Sequence, residues 1–148
     1  MAAANLPVVI FDASVLVAAC VASHPEHETC RSWLQRAIQG KLRMAVASHT
    51  LAEVYSVLST LPLSPRIGPA LANQLVQENV ARHADAIVNL TADDYHRALQ
   101  RLADGGFSGG ITYDMLVVIA AEKVQAREIV TLNRKDFERI APGRARIP

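Results

Sequence analysis

The chain has 148 residues and a formal net charge of +1, with 15 Lys and Arg against 14 Asp and Glu. Hydrophobic residues make up 51% of it, which is enough for the core of one domain, so we treat residues 1–148 as a single domain. The balanced charge excludes a polybasic tail but not RNA binding, because binding depends on where the charges lie. We expect a cytoplasmic protein with no membrane partner, since the apolar runs are short and two cysteines make no disulfide framework.

The apolar residues alternate between short strand-like runs and longer helical periods. In chain order we predict a strand at residues 8–11, helices at 14–22 and 27–39, a strand at 43–47, helices at 50–61 and 65–80, a strand at 86–90, a helix at 91–103, a glycine-rich loop at 104–110, a helix at 114–126, a strand at 128–132 and a helix at 134–140. The helix at 114–126 is apolar nearly all round, which is typical of a buried central helix. Repeated strand–helix units predict a three-layer α/β/α fold with a mostly parallel central sheet.

Four acidic residues lie close to the predicted ends of strands or starts of helices. Asp12 directly follows the first strand, Glu53 lies in the first turn of the helix after the second strand, and Asp114 opens the apolar helix. Asp136 follows the last predicted strand, with Asn133 in between. Because the carboxyl ends of parallel strands meet at one edge of a sheet, these side chains are candidates for a common site.

Helix capping is an alternative explanation for each acid taken singly. Asp12 is placed as an N-cap, Thr50 and Glu53 have the spacing of a capping box, and Asn133 and Asp136 have a similar spacing. The helix dipole favours an acid in the first turn by about 0.3–1 kcal/mol.

The four acids taken together point to a cation. Carboxylates brought close repel one another and need a compensating charge, yet no Lys or Arg is adjacent in sequence to Asp12, Glu53 or Asp114. Oxygen ligands of this kind suit Mg²⁺ or Mn²⁺. The sequence therefore predicts a divalent metal at the carboxyl edge of the sheet.

Four segments of the chain resemble a known family. The segments are VVIFDASVLVAA with Asp12, SHTLAEVYSVL with Glu53, ITYDMLVVIAAEKV with Asp114, and IVTLNRKDFERI with Asn133 and Asp136. In order and spacing they resemble the acidic segments of a PIN domain. The final Arg-Ile-Pro is similar to the last strand of that family, which implies a PIN-like sheet of about five strands. In size the chain most resembles the VapC-type toxins of bacterial toxin–antitoxin pairs.

This resemblance implies an Mg²⁺-dependent endoribonuclease, with Mn²⁺ as a substitute, that forms a homodimer and is blocked by a cognate antitoxin protein. It assigns Asp12, Glu53 and Asp114 to the catalytic acidic core and to the metal ligands. The assignment of the fourth acidic residue of the site stays open, because Asn133 stands where many members of the family have an acid. Asn133 is a candidate metal ligand, and Asp136 is a candidate catalytic residue. One metal and two metals are both compatible with these residues.

Residues around the predicted edge add further candidates. Ser14 and Thr131 are placed to orient a ligand or a phosphate, or are ordinary cap and strand residues. The last third of the chain carries a loose excess of basic residues, in which Arg134 and Lys135 are candidates for RNA binding. For these two basic residues the alternative is a solvated surface.

Other classes fit the sequence less well. A haloacid-dehalogenase-like phosphatase requires a second Asp two residues after the first, where this chain has Ser14. A receiver-like domain requires paired acids before its phospho-acceptor strand, whereas Asp93 and Asp94 lie at a helix start and indicate capping. A PIN-like module that binds RNA or metal without catalysis is the main alternative function, and a metal titration separates it from a nuclease.

Overall fold

The computed structural model describes residues 5–148. In chain order its elements are β1 (Val8–Phe11), α1 (Ala13–Cys20), α2 (His27–Ile38), β2 (Arg43–Ala47), α3 (Ser48–Thr60), α4 (Pro69–Leu75), β3 (Ala86–Val88), α5 (Ala92–Gly105), α6 (Ile111–Lys123), β4 (Glu128–Val130), α7 (Arg134–Ile140) and β5 (Ala145–Arg146). Helix α4 continues into a π-helical turn at Val76–Val80 and a 3₁₀ turn at Ala81–His83.

The five strands form one parallel sheet in the order β3-β2-β1-β4-β5. Ile10 at the centre of β1 pairs with Ala45 of β2 on one side and Ile129 of β4 on the other. Alternate side chains of β1 enter two separate cores, because Val9 and Phe11 pack on the face covered by α1 to α4, whereas Ile10 packs against α5, α6 and α7. The predicted three-layer α/β/α architecture is confirmed.

Helix α6 lies in the second core, with eight of its residues buried. The predicted buried central helix is therefore confirmed, although it begins at Ile111 rather than residue 114 and ends at Lys123. Asp114 consequently lies in the first turn rather than at the opening residue. No helix in residues 5–148 has both the length and the apolar character needed to cross a membrane.

Other predicted boundaries differ locally from the structure. The helix predicted at 65–80 begins only at Pro69, because proline has no backbone N–H to donate and disfavours helical geometry at the residue before it. Helix α5 extends to Gly105 and shortens the loop predicted at 104–110. The strands predicted at 86–90 and 128–132 end two residues earlier, at Val88 and Val130.

Candidate functional site

Asp12 lies at the centre of the site, directly after β1. It is only 5% exposed and occupies the N-cap position of α1, yet its side chain caps no backbone N–H. Its Oδ2 instead accepts hydrogen bonds from Ser14 Oγ at 2.7 Å and from Thr131 Oγ1 at 2.9 Å. The N-cap explanation for Asp12 is therefore wrong, and two hydroxyl groups fix the orientation of its carboxylate.

The two hydroxyl groups are in turn held by the chain that follows β4. The backbone N–H of Leu132 donates to Ser14 Oγ, and that of Asn133 donates to Thr131 Oγ1, each at 3.0 Å. Ser14 and Thr131 thus link the ends of two neighbouring strands through the carboxylate of Asp12. Both residues orient a buried charge, which goes beyond an ordinary cap or strand role.

Asn133 joins two further acids of the predicted set. Its Nδ2 donates to Asp114 Oδ2 at 3.1 Å and to Asp136 Oδ2 at 3.0 Å. Asn133 occupies the N-cap position of α7 without capping it, so the cap-like spacing of Asn133 and Asp136 reflects this bridge. Asp136 also forms an ion pair with Arg139, with 3.6 Å between Nη1 and Oδ1.

Glu53 reaches the same region from α3. The predicted capping box of Thr50 and Glu53 is wrong, because α3 already begins at Ser48 and Thr50 lies inside the helix. Thr50 is fully buried, and its Oγ1 has no hydrogen-bond partner in the part of the chain that the structure describes. Glu53 therefore has no capping role and is free to face the acids at the ends of the strands.

A cleft of about 750 Å³ lies over these residues. One part of it is polar and the other is apolar. The polar part is lined by Asp12, Ser14, Glu53, Asp114 and Asn133, and the apolar part by Val17, Val21, Val57, Leu61, Pro62, Leu63 and Leu132. Asp136 is not part of the cleft lining and reaches the site through Asn133.

The carboxylates in the cleft disfavour one another's ionisation. Burial, followed by the charges of Asp12, Asp136 and Glu53, raises the pKa of Asp114 to about 7. The pKa of Glu53 is also raised, first by partial burial of its carboxyl in the cleft wall and then by Asp12, although the residue as a whole is exposed. Within residues 5–148, no basic side chain forms an ion pair with Asp114, so the charge of its carboxylate is not compensated.

The site is suited to a divalent cation by the chemistry of its donors. Its donors are carboxylate and amide oxygens, which are the ligands of hard cations, and the raised pKa of Asp114 reflects charge that a cation would neutralise. Within residues 5–148, no three His, Cys, Asp or Glu side chains lie close enough together to enclose an ion by themselves. This open arrangement fits Mg²⁺, which binds through one or two carboxylates and keeps several waters.

Asp94 shows what a structural acid looks like in the same fold. It forms a true capping box with Thr91 at the start of α5, as its position predicted. It also pairs with Lys123 of α6 at 2.6 Å and with Arg97 at 2.8 Å. These contacts lower the pKa of Asp94 well below its usual value, with Lys123 the largest cause.

The six basic residues from Arg127 to Arg146 divide into two groups. Four of them make contacts within the protein: Arg127 with Glu128, Arg139 with Asp136, Arg144 with the carbonyl of Ala126, and Arg146 with the ring of Trp33. Arg134 and Lys135 are exposed at the start of α7 and form no ion pair with any residue in 5–148. These two remain accessible to an external anion.

Two residues near the site were not predicted from the sequence. His49, at the start of α3, and Tyr113, which precedes Asp114, line a second and smaller cavity that includes Glu53. The only sequence signal was their position beside predicted site segments, since neither residue forms a motif.

Comparison with known proteins identifies the family of the chain. The PIN domain family profile matches residues 9–142. Ribonuclease VapC27 of Mycobacterium tuberculosis is 32% identical over 120 residues, covering 81% of each chain, and ribonuclease VapC40 of the same species is 32% identical over 116 residues, covering 78% of this chain and 80% of that one.

Solved structures share the fold at lower identity. VapC20 of M. tuberculosis, described as a sarcin-ricin loop cleaving toxin, has 17% identity and a TM-score of 0.68 over 92% of this chain and 98% of that one. DNA-bound VapBC from Salmonella typhimurium has 22% identity and a TM-score of 0.67 over 96% and 98%. The chain belongs to the PIN-domain family, and within it to the VapC ribonucleases of toxin–antitoxin systems.

Proposed function

We propose that this chain is the toxin of a toxin–antitoxin pair and hydrolyses RNA phosphodiester bonds with Mg²⁺, for which Mn²⁺ substitutes. The observation that carries this proposal is the set of clustered, uncompensated carboxylates at the carboxyl edge of the sheet, among which the pKa of Asp114 is raised to about 7. A second support is the cleft of about 750 Å³ that leaves these carboxylates open to a large ligand. We place the activity in the cytoplasm.

The protein residues divide into ligands and supports. Asp12, Glu53 and Asp114 would hold the ion directly or through its waters, and the bound ion would act as a Lewis acid that activates water and offsets negative charge on the phosphate. Ser14 and Thr131 keep the Asp12 carboxylate in one orientation.

We assign different roles to Asn133 and Asp136, the two candidates for the fourth residue of the site. Asn133 donates from its amide nitrogen to Asp114, which leaves its Oδ1 as the atom available to the ion. Asp136 is held by Asn133 and Arg139 outside the cleft lining, and we assign it a positioning role toward Asp114.

The cleavage assay tests the proposal directly. The wild-type protein is incubated with total RNA and Mg²⁺, then with EDTA, and Asp12→Asn is compared with Asp93→Asn. Asp93 is exposed on α5 and the change removes the same charge, so it is a matched control. We expect EDTA and Asp12→Asn each to reduce cleavage by about 100-fold or more, whereas Asp93→Asn stays within about two-fold of the wild type.

A different result would favour the alternative function. Undiminished cleavage by Asp12→Asn would contradict the assignment of the site. RNA binding without cleavage by the wild type at millimolar Mg²⁺ would indicate a PIN-like module that binds RNA or metal without catalysis.

Arg134 and Lys135 are proposed to contact the RNA backbone. Both are exposed and free of ion pairs with residues 5–148 at the start of α7, directly after Asn133. For single-stranded RNA, each phosphate that the protein neutralises adds about 0.7 to the slope of log K against log salt. Reversing both charges to Glu should therefore weaken RNA binding and reduce this slope by about 1.4, measured by fluorescence anisotropy across a salt series. Unchanged affinity and slope would identify these residues as a solvated face.

The apolar part of the cleft supports an antitoxin as the protein partner. Valine and leucine side chains of α1, α3 and the loop after α3 form its wall, next to the carboxylates. A peptide segment with apolar side chains and a basic residue fits both parts of such a cleft and would block the metal site. Solved structures of similar fold include VapBC complexes from Rickettsia felis and Haemophilus influenzae.

We also propose a homodimer. Tyr95 and Leu99 lie one turn apart on α5 and are 41% and 52% exposed, so an apolar strip is available for a second copy of the chain. Light scattering coupled to size-exclusion chromatography measures the mass of the assembly.

A further inference from the structure

A second cavity of about 400 Å³ lies beside the acidic cleft. It is formed by the first three turns of α3 and the first turn of α6, and its lining consists of His49, Ala52, Glu53, Ser56, Val57 and Tyr113. Glu53 and Val57 also line the acidic cleft, so the two cavities meet at these two side chains. Anything bound in the smaller cavity lies next to a group held at the carboxylates.

Tyr113 gives this cavity an aromatic wall. The side chain is 60% exposed, more than the other large apolar and aromatic side chains that reach solvent within residues 5–148. Tyr113 directly precedes Asp114, a residue of the acidic cluster, in the first turn of α6. A flat, accessible ring at this place is suited to stacking against another flat ring.

His49 and Ser56 add polar groups to a largely apolar lining. Both ring nitrogens of His49 are buried and have no hydrogen-bond partner of good geometry among residues 5–148, a state that is uncommon for buried polar atoms. Burial lowers the pKa of His49, and the charge of Asp12 and the backbone of Tyr113 oppose this only in part. Because the two nitrogens of His49 are inaccessible to a ligand, the lining offers the aromatic surface of Tyr113 and the hydroxyl of Ser56.

We propose that this cavity is a nucleobase subsite, in which a base next to the scissile phosphate leaves the RNA stack and stacks on Tyr113. The inference rests on the proposed ribonuclease function, since it is the acidic cleft that places a phosphate beside Glu53. Sequence-dependent recognition of single-stranded RNA commonly uses unstacked bases placed on aromatic side chains. The subsite would therefore contribute to the choice of cleavage site, with the edge of the base facing Ser56.

A binding measurement tests the subsite without cleavage. The full chain carrying Asp12→Asn is titrated with a short single-stranded RNA of mixed sequence containing 2-aminopurine, whose fluorescence falls when it stacks. Adding Tyr113→Ala should weaken binding about 10-fold and remove most of the fluorescence change, whereas Tyr113→Phe and Tyr113→Trp should keep both. Tyr55→Ala is the matched control, because Tyr55 is also exposed but lines neither cavity.

Cleavage-site mapping with the otherwise wild-type enzyme gives a second readout. Tyr113→Ala should change the base preference beside the cleaved bond, and Tyr55→Ala should not. If the wild type cleaves RNA and Tyr113→Ala leaves affinity, fluorescence and base preference unchanged, the subsite is wrong while the nuclease stands. If the wild type cleaves no RNA, the proposed function fails, and the 2-aminopurine titration alone decides whether a base stacks on Tyr113. Loss of antitoxin binding in Tyr113→Ala with unchanged RNA binding would overturn the subsite in favour of a protein contact.

Discussion

Asp94 and Asp114 lie in the first turns of consecutive helices, yet their surroundings are opposite. The carboxylate of Asp94 accepts a hydrogen bond from the backbone N–H of Thr91 and pairs with Lys123 and Arg97, so its charge is compensated on several sides. Asp114 is half-buried near three other carboxylates, and its hydrogen-bond partner is the neutral amide of Asn133.

This contrast shows why position in a helix does not reveal the role of an acid. The pKa of Asp94 is lowered, which means that its charge stabilises the fold, whereas the pKa of Asp114 is raised to about 7, which means that its charge destabilises the fold without a cation. Uncompensated charge retained at a cleft is typical of a functional site rather than a structural one.

The largest effect on stability is expected at Asp94. Asp94→Ala removes the capping box and both ion pairs, so the midpoint of thermal unfolding at pH 7 should fall by several degrees. Asp93→Ala is the control, since Asp93 is the exposed neighbour in the same helical turn. The contribution of Asp94 should be present above about pH 4 and be lost as the pH falls, because its folded pKa is lowered. Equal midpoints of thermal unfolding for Asp94→Ala and Asp93→Ala would show that the contacts of Asp94 do not stabilise the fold, which would contradict the contrast drawn with Asp114.

In metal-free protein, the charge of Asp114 is expected to change the stability of the fold by a smaller amount than that of Asp94 and in the opposite direction. Because the folded pKa is raised, the folded state holds the proton more tightly, so stability should decrease as the pH rises from about 4 to 7. The full shift corresponds to about 4 kcal/mol, and solvent screening of a half-buried carboxyl reduces the expected effect to about 1–2 kcal/mol.

Chemical denaturation in EDTA at pH 5 and pH 8 measures this effect. Asp114→Asn should lose less stability than the wild type between the two pH values and should be the more stable protein at pH 8. A wild type and an Asp114→Asn variant with the same pH dependence would show that the acids of the cleft do not repel one another.

The architecture could be predicted from the sequence because local patterns determine it. The apolar runs at Val8–Phe11 and Arg43–Ala47 lie in the interior of the sheet, where burial on both faces leaves no alternative to a strand. The predicted start of α4 is wrong because Pro69, rather than Pro65, sets the beginning of the helix.

The detailed geometry of the site could not be predicted to the same extent. Sequence order places Asp12, Glu53 and Asp114 near the strand ends, because parallel strands share one carboxyl edge. The spacing of Thr50 and Glu53 matches a capping box, but α3 starts two residues before Thr50, and only the structure reveals this.

The cavity between His49 and Tyr113 depends on how α3 and α6 approach each other in space. No spacing within one helix encodes that approach. Residues far apart in the chain that line a common cavity therefore need the folded structure to be recognised.

The most direct test of the account is whether the uncompensated carboxylates bind a cation. Mn²⁺ is titrated into metal-free protein at pH 7, with free Mn²⁺ followed by electron paramagnetic resonance, for the wild type, Asp12→Asn, Asp114→Asn and the control Asp93→Asn. We predict binding by the wild type and by Asp93→Asn, with affinity reduced about 10-fold or more in the other two variants. No binding by the wild type at millimolar Mn²⁺, or equal binding by all four proteins, would contradict the assignment of this cluster as the metal site.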